Sequence, residues 1–128
     1  MNSNNIWPRG LKTIFFLAFF LIGLSYSCSS VWDSKHLLGE WKVSDWIVVS
    51  SGKAVNQKMD FSFTSDKKYT VDYGQENEKG SYYISGEFLH TKEEGSIEKS
   101  VRIIKLNPDS LMFEMNRAGS LERVTLIR

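Results

Sequence analysis

Few residues in this chain could perform chemistry, and they are scattered. The only histidines are His36 and His90, and the only cysteine is Cys28, so a zinc site would need carboxylates from unrelated positions. The sequence contains no glycine-rich phosphate loop, no serine nucleophile elbow and no pair of carboxylates on a common site. We therefore predict that the protein is not an enzyme and holds no metal ion and no cofactor.

The lone cysteine follows a segment with the anatomy of an export signal. Arg9 and Lys12 supply positive charge, and Ile14–Leu24 is an uncharged apolar run of 11 residues, too short to remain as a membrane-spanning helix. With Ser27 before Cys28, the segment resembles a bacterial lipoprotein signal, which implies that Cys28 is acylated. Three alternatives stay open: ordinary cleavage that leaves a free thiol, a buried cysteine, and a signal-anchor helix.

Acylation of Cys28 would make the lipid bilayer a partner, because each buried CH₂ group of the acyl chains contributes about 0.8 kcal/mol. Ser29 and Ser30 follow the cysteine, and no acidic residue there suggests retention at an inner membrane. We therefore expect a lipid-anchored protein of the bacterial cell envelope, in the outer membrane and facing the periplasm. The whole chain has 16 basic and 15 acidic residues, a balance that argues against a nucleic-acid partner.

The elements that must position the remaining side chains are mostly strands. Val31–Leu38 suits a short helical turn that ends before Gly39. Eight segments rich in β-branched and aromatic residues follow: Trp41–Ser50, Met59–Thr64, Lys68–Tyr73, Ser81–Ser85, Glu87–Thr91, Ser100–Leu106, Ser110–Met115 and Leu121–Arg128. Each connection is too short for a crossover helix, so neighbouring strands should pair antiparallel.

This pattern predicts an all-β fold, an eight-stranded antiparallel up-and-down barrel preceded by a short helical turn. The predicted organisation is a signal peptide over residues 1–27, a lipid-attached tether and helical turn over 28–38, and a barrel over 39–128. Charged runs over 75–79 and 92–94 are expected to be solvated loops.

Two positions in the first strand are ambiguous. Asp45 has inward parity, so it is either a polar anchor at a cavity mouth or is turned outward by a bulge after Ser44, which we favour. Trp46 has outward parity, so with Trp32 it either forms an exposed apolar patch for a partner protein or is covered by the N-terminal turn, which we favour. In the fifth strand, Phe88 and Leu89 compete for the inward face.

Several phrases are similar to a known family. Leu38-Gly39-Glu40-Trp41 resembles the Gly-x-Trp start of the first lipocalin strand. The phrases over 80–89 and 104–113 resemble the short lipocalin-like domains of bacterial lipoproteins. The resemblance implies ligand binding in the barrel. The chain departs from larger lipocalins because it lacks a long C-terminal helix and a disulfide, and its short strands imply a shallow cavity.

The order of strands predicts how one barrel end closes. In a closed meander the last strand pairs with the first, and Arg128 shares inward parity with Val124 and Leu126. We therefore predict a barrel-closing pair of Trp41 and Arg128, a cation–π contact of roughly 1 kcal/mol. Lipocalins similarly pack an arginine on this tryptophan.

Two functions from different classes fit this barrel. The leading hypothesis is a membrane-anchored binder of a small hydrophobic ligand. The alternative is a solid barrel that binds or inhibits another envelope protein through its loops. Inward parity makes ten residues candidates for the ligand cavity: Val43, Ile47, Phe61, Phe63, Tyr69, Tyr73, Tyr82, Ile104, Phe113 and Met115.

Overall fold

Alternating apolar side chains build a closed ring of strands in the computed structural model, which describes residues 31–128. A 3-10 helix, Ser34–Leu37, comes first, and the Asp33 side chain caps it by accepting from the Lys35 amide at 3.0 Å. Eight strands follow in this part of the chain: β1 (Gly39–Val48), β2 (Asp60–Phe63), β3 (Lys68–Asp72), β4 (Asn77–Ser85), β5 (Phe88–Glu93), β6 (Lys99–Leu106), β7 (Ser110–Arg117) and β8 (Ser120–Ile127).

Every strand pairs antiparallel with the next, and β8 pairs back with β1 to close the barrel. The predicted fold class is therefore confirmed, with β4 starting at Asn77 rather than Ser81. No helix within residues 31–128 is long and apolar enough to cross a bilayer. The predicted signal peptide and Cys28 lie outside the described residues.

The core of the part of the chain that the structure describes lies inside the barrel. Fifteen buried apolar side chains between Leu37 and Leu126 form one cluster in this part of the chain. Full burial of one such side chain stabilises the folded state by about 1.5–3 kcal/mol. Since the strands close on themselves and the core lies within them, the barrel domain has the elements it needs to fold alone.

A β-bulge in β1 changes which side chains face inward. The register with β8 shifts between Val43 and Asp45, which makes Ser44 the extra residue. Asp45 is exposed, as the favoured interpretation predicted. The shift also reverses the alternation beyond it, so Trp46 is buried and Ile47 lies outside the core cluster. The predictions of an inward Ile47 and an outward Trp46 were wrong.

Another bulge affects β6 in the same way. Its register with β7 shifts between Ile103 and Lys105, and Ile103 is buried in place of Ile104. The prediction of an inward Ile104 was therefore wrong. In β5 the structure resolves the ambiguity, because Leu89 is buried and Phe88 is exposed.

Candidate functional site

One end of the barrel is closed by a tryptophan and an arginine. Trp41, at the start of β1, is fully buried and donates from Nε1 to the Leu37 carbonyl at 2.8 Å. The guanidinium carbon of Arg128 lies 4.0 Å from the centre of the Trp41 ring. The same guanidinium donates to three backbone carbonyls, those of His36, Leu38 and Pro108. These contacts fasten the helical turn and the loop between β6 and β7 to the end of the chain.

Gly39 permits this arrangement for two reasons. Its φ is +116°, a conformation that side-chain-bearing residues rarely adopt. A Cβ built on it would lie 2.8 Å from a terminal guanidinium nitrogen of Arg128. The Gly-x-Trp spacing therefore places a residue without a side chain against the arginine and an indole beneath it.

The opposite end of the barrel holds a cavity of about 450 Å³. Its lining includes residues from the end of β7 and from the starts of β4 and β6. These strand ends lie opposite the start of β1, which contains Trp41. The apolar part of the lining comprises Trp46, Met59, Phe61, Val71, Leu89, Val101, Phe113 and Met115. The cavity is partly open, so a small molecule has both an apolar chamber and a path into it.

The ten candidate cavity residues fall into three groups. Phe61, Tyr73, Phe113 and Met115 line the cavity. Phe63, Tyr69 and Tyr82 belong to the core and Val43 packs against it, but none of the four lines the cavity. Ile47 and Ile104 lie outside the core because of the two bulges.

Packed aromatic rings form the floor of the cavity. Phe61 stacks on Phe63 with ring centroids 5.3 Å apart, and its ring meets Phe113 edge-on at 6.0 Å. Phe63 in turn meets Tyr82 edge-on at 5.0 Å. Phe61 and Phe113 line the cavity, whereas Phe63 and Tyr82 do not, so the packed rings continue from the cavity wall into the core.

A buried carboxylate stands at one side of the cavity mouth. The Tyr69 hydroxyl donates to Glu78 Oε2 at 2.5 Å, and Lys99 Nζ donates to Oε1 at 3.1 Å. Burial alone would raise the pKa of Glu78, but the hydrogen bonds from Tyr69 and Lys99 outweigh it and hold that pKa below its usual value. Burial, with a smaller effect of Glu78, raises the pKa of Tyr73 to about 12.

A second buried carboxylate lies behind Trp46. The indole Nε1 of Trp46 donates to Glu122 Oε1 at 2.5 Å, and Arg117 Nε lies 3.1 Å from Oε2. The guanidinium of Arg117 also lies over the Trp46 ring, 5.4 Å from its centre. Each buried acid thus has one neutral donor from inside the barrel and one cation at the mouth.

Sequence reasoning missed these polar residues. The prediction that residues 75–79 form a solvated loop was wrong for Asn77–Lys79, which belong to β4. The same prediction for residues 92–94 was wrong for Lys92 and Glu93, which belong to β5. A signal was available, because Glu78 shares parity with inward Tyr82, and Glu122 shares parity with Val124. An acid on the inward face of a strand needs a partner inside the barrel.

Comparison with known protein families agrees with the closed eight-stranded barrel. A family model described as a lipocalin-like domain matches residues 37–113, from the helical turn into β7. No curated protein matches the chain. Within residues 31–128, no group of three or more His, Cys, Asp or Glu side chains could hold a metal ion.

Proposed function

We propose that this chain, which belongs to the family of lipocalin-like domains, binds a small and largely apolar molecule in the cavity at the open end of its barrel. A lipocalin-like barrel suggests a small-ligand-binding domain, and the family is typically a binding fold rather than an enzyme. The observation that carries the proposal is the cavity itself. Its volume of about 450 Å³ falls within the range of about 300–1,000 Å³ of small-molecule sites.

The cavity also favours ligand binding over the solid-barrel alternative. A barrel whose only role is to present loops gains stability from a filled interior, since each buried void forfeits packing contacts. Here the aromatic floor of Phe61 and Phe113 stops short of the mouth. The open space between these rings and the mouth is lined by the apolar side chains of Met115 and Trp46.

Binding of a neutral fluorescent probe tests the proposal. Met115 lines the cavity, whereas Met112 lies on the outer face of the same strand and lines no part of it. Met115→Trp should fill the mouth and abolish binding of N-phenylnaphthylamine, and Met112→Trp should leave it unchanged. Equal binding by the two variants, or no binding by the unmodified barrel, would contradict the proposal.

We further propose that the protein is anchored in the bacterial outer membrane by a lipid on Cys28 and faces the periplasm. The support is the sequence of the export segment, with its charged start, its apolar run and the Ser27-Cys28 junction. Growth with an alkyne-tagged palmitate should label the protein, and Cys28→Ser should abolish the label. Labelling that survives the substitution would overturn the proposed anchor.

A further inference from the structure

We infer that the ligand is an amphiphile with an anionic head group, whose apolar chain enters the cavity while Lys99 and Arg117 bind the head at its mouth. This inference rests on the proposed ligand-binding function and names the class of ligand. It comes from the arrangement of charge around the mouth, from the free donors of the two cations and from the polar space beside them.

The charged residues of the mouth are arranged in two layers. The cavity lining contains two cations, Lys99 and Arg117, and one carboxylate, Glu78. The side chains of Lys99 and Arg117 are 55% and 52% exposed, whereas those of Glu78 and Glu122 are 10% and 4% exposed. A molecule that approaches from solvent therefore meets Lys99 and Arg117 before Glu78 and Glu122. A third acid, the partly buried Glu93 at the end of β5, lies close to Glu78 but outside the cavity lining.

Both cations keep hydrogen-bond donors for a ligand. The ammonium of Lys99 has three N–H groups and gives one to Glu78. Arg117 uses Nε for Glu122 and one terminal nitrogen for Gln57 Oε1 at 3.3 Å. Its other terminal nitrogen has no hydrogen-bond partner among the described residues that line the mouth. An anionic oxygen at the mouth would thus receive charge-assisted hydrogen bonds.

Glu78 and Glu122 each have a neutral hydrogen-bond donor in addition to a cation. Tyr69 donates to Glu78 and Trp46 donates to Glu122, each at 2.5 Å. A cation can therefore turn toward a ligand while its carboxylate keeps a strong neutral donor. A cationic head group, by contrast, would meet Lys99 and Arg117 before either acid.

The space around the mouth divides into an apolar and a polar part. Beside the cavity lies a more open polar shelf of about 630 Å³. The shelf shares Gln57, Tyr73, Glu78 and Lys99 with the cavity and adds the polar side chains of Asn56, Lys58, Gln75 and Glu76. Lys99 stands where the two spaces meet. An apolar chain with a hydrated head matches this division, whereas a wholly apolar molecule would use only the inner part.

Competition between ten-carbon ligands that differ only in their heads tests the inference on the barrel domain. Decanoate, decyl phosphate, decanol and decyltrimethylammonium are each titrated against bound N-phenylnaphthylamine. We expect decanoate or decyl phosphate to bind about tenfold more tightly than decanol, and decyltrimethylammonium to bind most weakly. The ratio of the two anions distinguishes a carboxylate from a phosphate ligand.

Substitutions at the mouth locate the effect. Lys99→Gln and Arg117→Gln should each weaken decanoate binding about fivefold more than they weaken decanol binding, and Lys99→Arg should retain decanoate binding. Lys105→Gln is the matched control, because Lys105 is an exposed lysine near the other end of β6. Decanol affinity reports that each variant has kept its cavity.

These experiments distinguish a failure of the anionic head group from a failure of ligand binding itself. Equal affinities for decanoate and decanol, with no effect of either glutamine variant, would overturn the anionic head while ligand binding stands. Loss of decanol binding together with decanoate binding in both glutamine variants would show that the cations support the cavity instead of the head, and would also overturn the inference. Failure of every ligand and of the probe to bind would overturn both.

Discussion

The two ends of the barrel use the same kinds of side chain in opposite ways. At the closed end, an arginine stacks on Trp41 and its donors go to backbone carbonyls of the protein itself. At the open end, Arg117 also lies over an indole, that of Trp46, but it pairs with a buried acid and stays half exposed. Both arginines are exposed, so the difference lies in their donors: all three nitrogens of Arg128 bind backbone carbonyls, whereas one terminal nitrogen of Arg117 has no hydrogen-bond partner among residues 31–128.

The largest effect should come from breaking the closed end. Trp41→Ala removes a fully buried indole and should lower the free energy of unfolding by about 3–5 kcal/mol. Urea unfolding measures the loss. Trp41→Phe, which keeps most of the volume, should cost less. A loss below about 1 kcal/mol for the alanine variant would contradict the assignment of this end as the structural one.

A smaller effect is expected when a methyl group is added at Gly39. Both Gly39 and Gly86 have positive φ, but only at Gly39 would a Cβ meet another group, the guanidinium of Arg128. Gly86→Ala should cost about 1 kcal/mol from backbone strain alone. Gly39→Ala should cost more, because Arg128 must also move. Equal midpoints in thermal or urea unfolding would show that the contact with Arg128 is unimportant.

The next effect, at the open end, is expected in how the free energy of unfolding depends on pH. The pKa of Glu78 is held below its usual value in the folded barrel. Its ionised form therefore stabilises the fold in full above the ordinary glutamate pKa of about 4.3, and this contribution is lost as the pH falls through the lower folded-state pKa. Glu78→Gln should remove about 1 kcal/mol at neutral pH and flatten the acid side of the stability curve.

Glu40→Gln is the matched control for this acid dependence, because Glu40 is an exposed carboxylate near the closed end. Its stability curve should follow that of the unmodified protein. Should Glu78→Gln lose stability in acid as steeply as the unmodified protein, the hydrogen bonds from Tyr69 and Lys99 would not be what lowers the Glu78 pKa.

Sequence periodicity was sufficient to predict the strands but not the two β-bulges within them. Alternation and short turns predict an antiparallel closed meander, and closure alone brings the chain end near Trp41. A bulge adds one residue without changing composition. Ile103 and Ile104 are equally apolar, so nothing in the pattern indicates which one is buried. Ser44-Asp45 does carry a signal, because a carboxylate on the inward face is costly.

The cavity could be anticipated only in part. Aromatic residues of inward parity predict an interior that is either filled or hollow, and the sequence leaves that choice open. The volume depends on how Phe61 and Phe113 stack against each other, a property of three-dimensional packing. The cations at the mouth follow from Glu78 and Glu122, whose parity indicates buried acids in need of partners.

The central claim to test is that a ligand occupies the open end of the barrel. A crystal structure of the barrel domain grown with decanoate tests it directly. We predict an acyl chain against Phe61, Phe113 and Met115, with the carboxylate beside Lys99 and Arg117. Side chains that fill the cavity and leave no room for the chain, or a ligand bound elsewhere on the barrel, would contradict it.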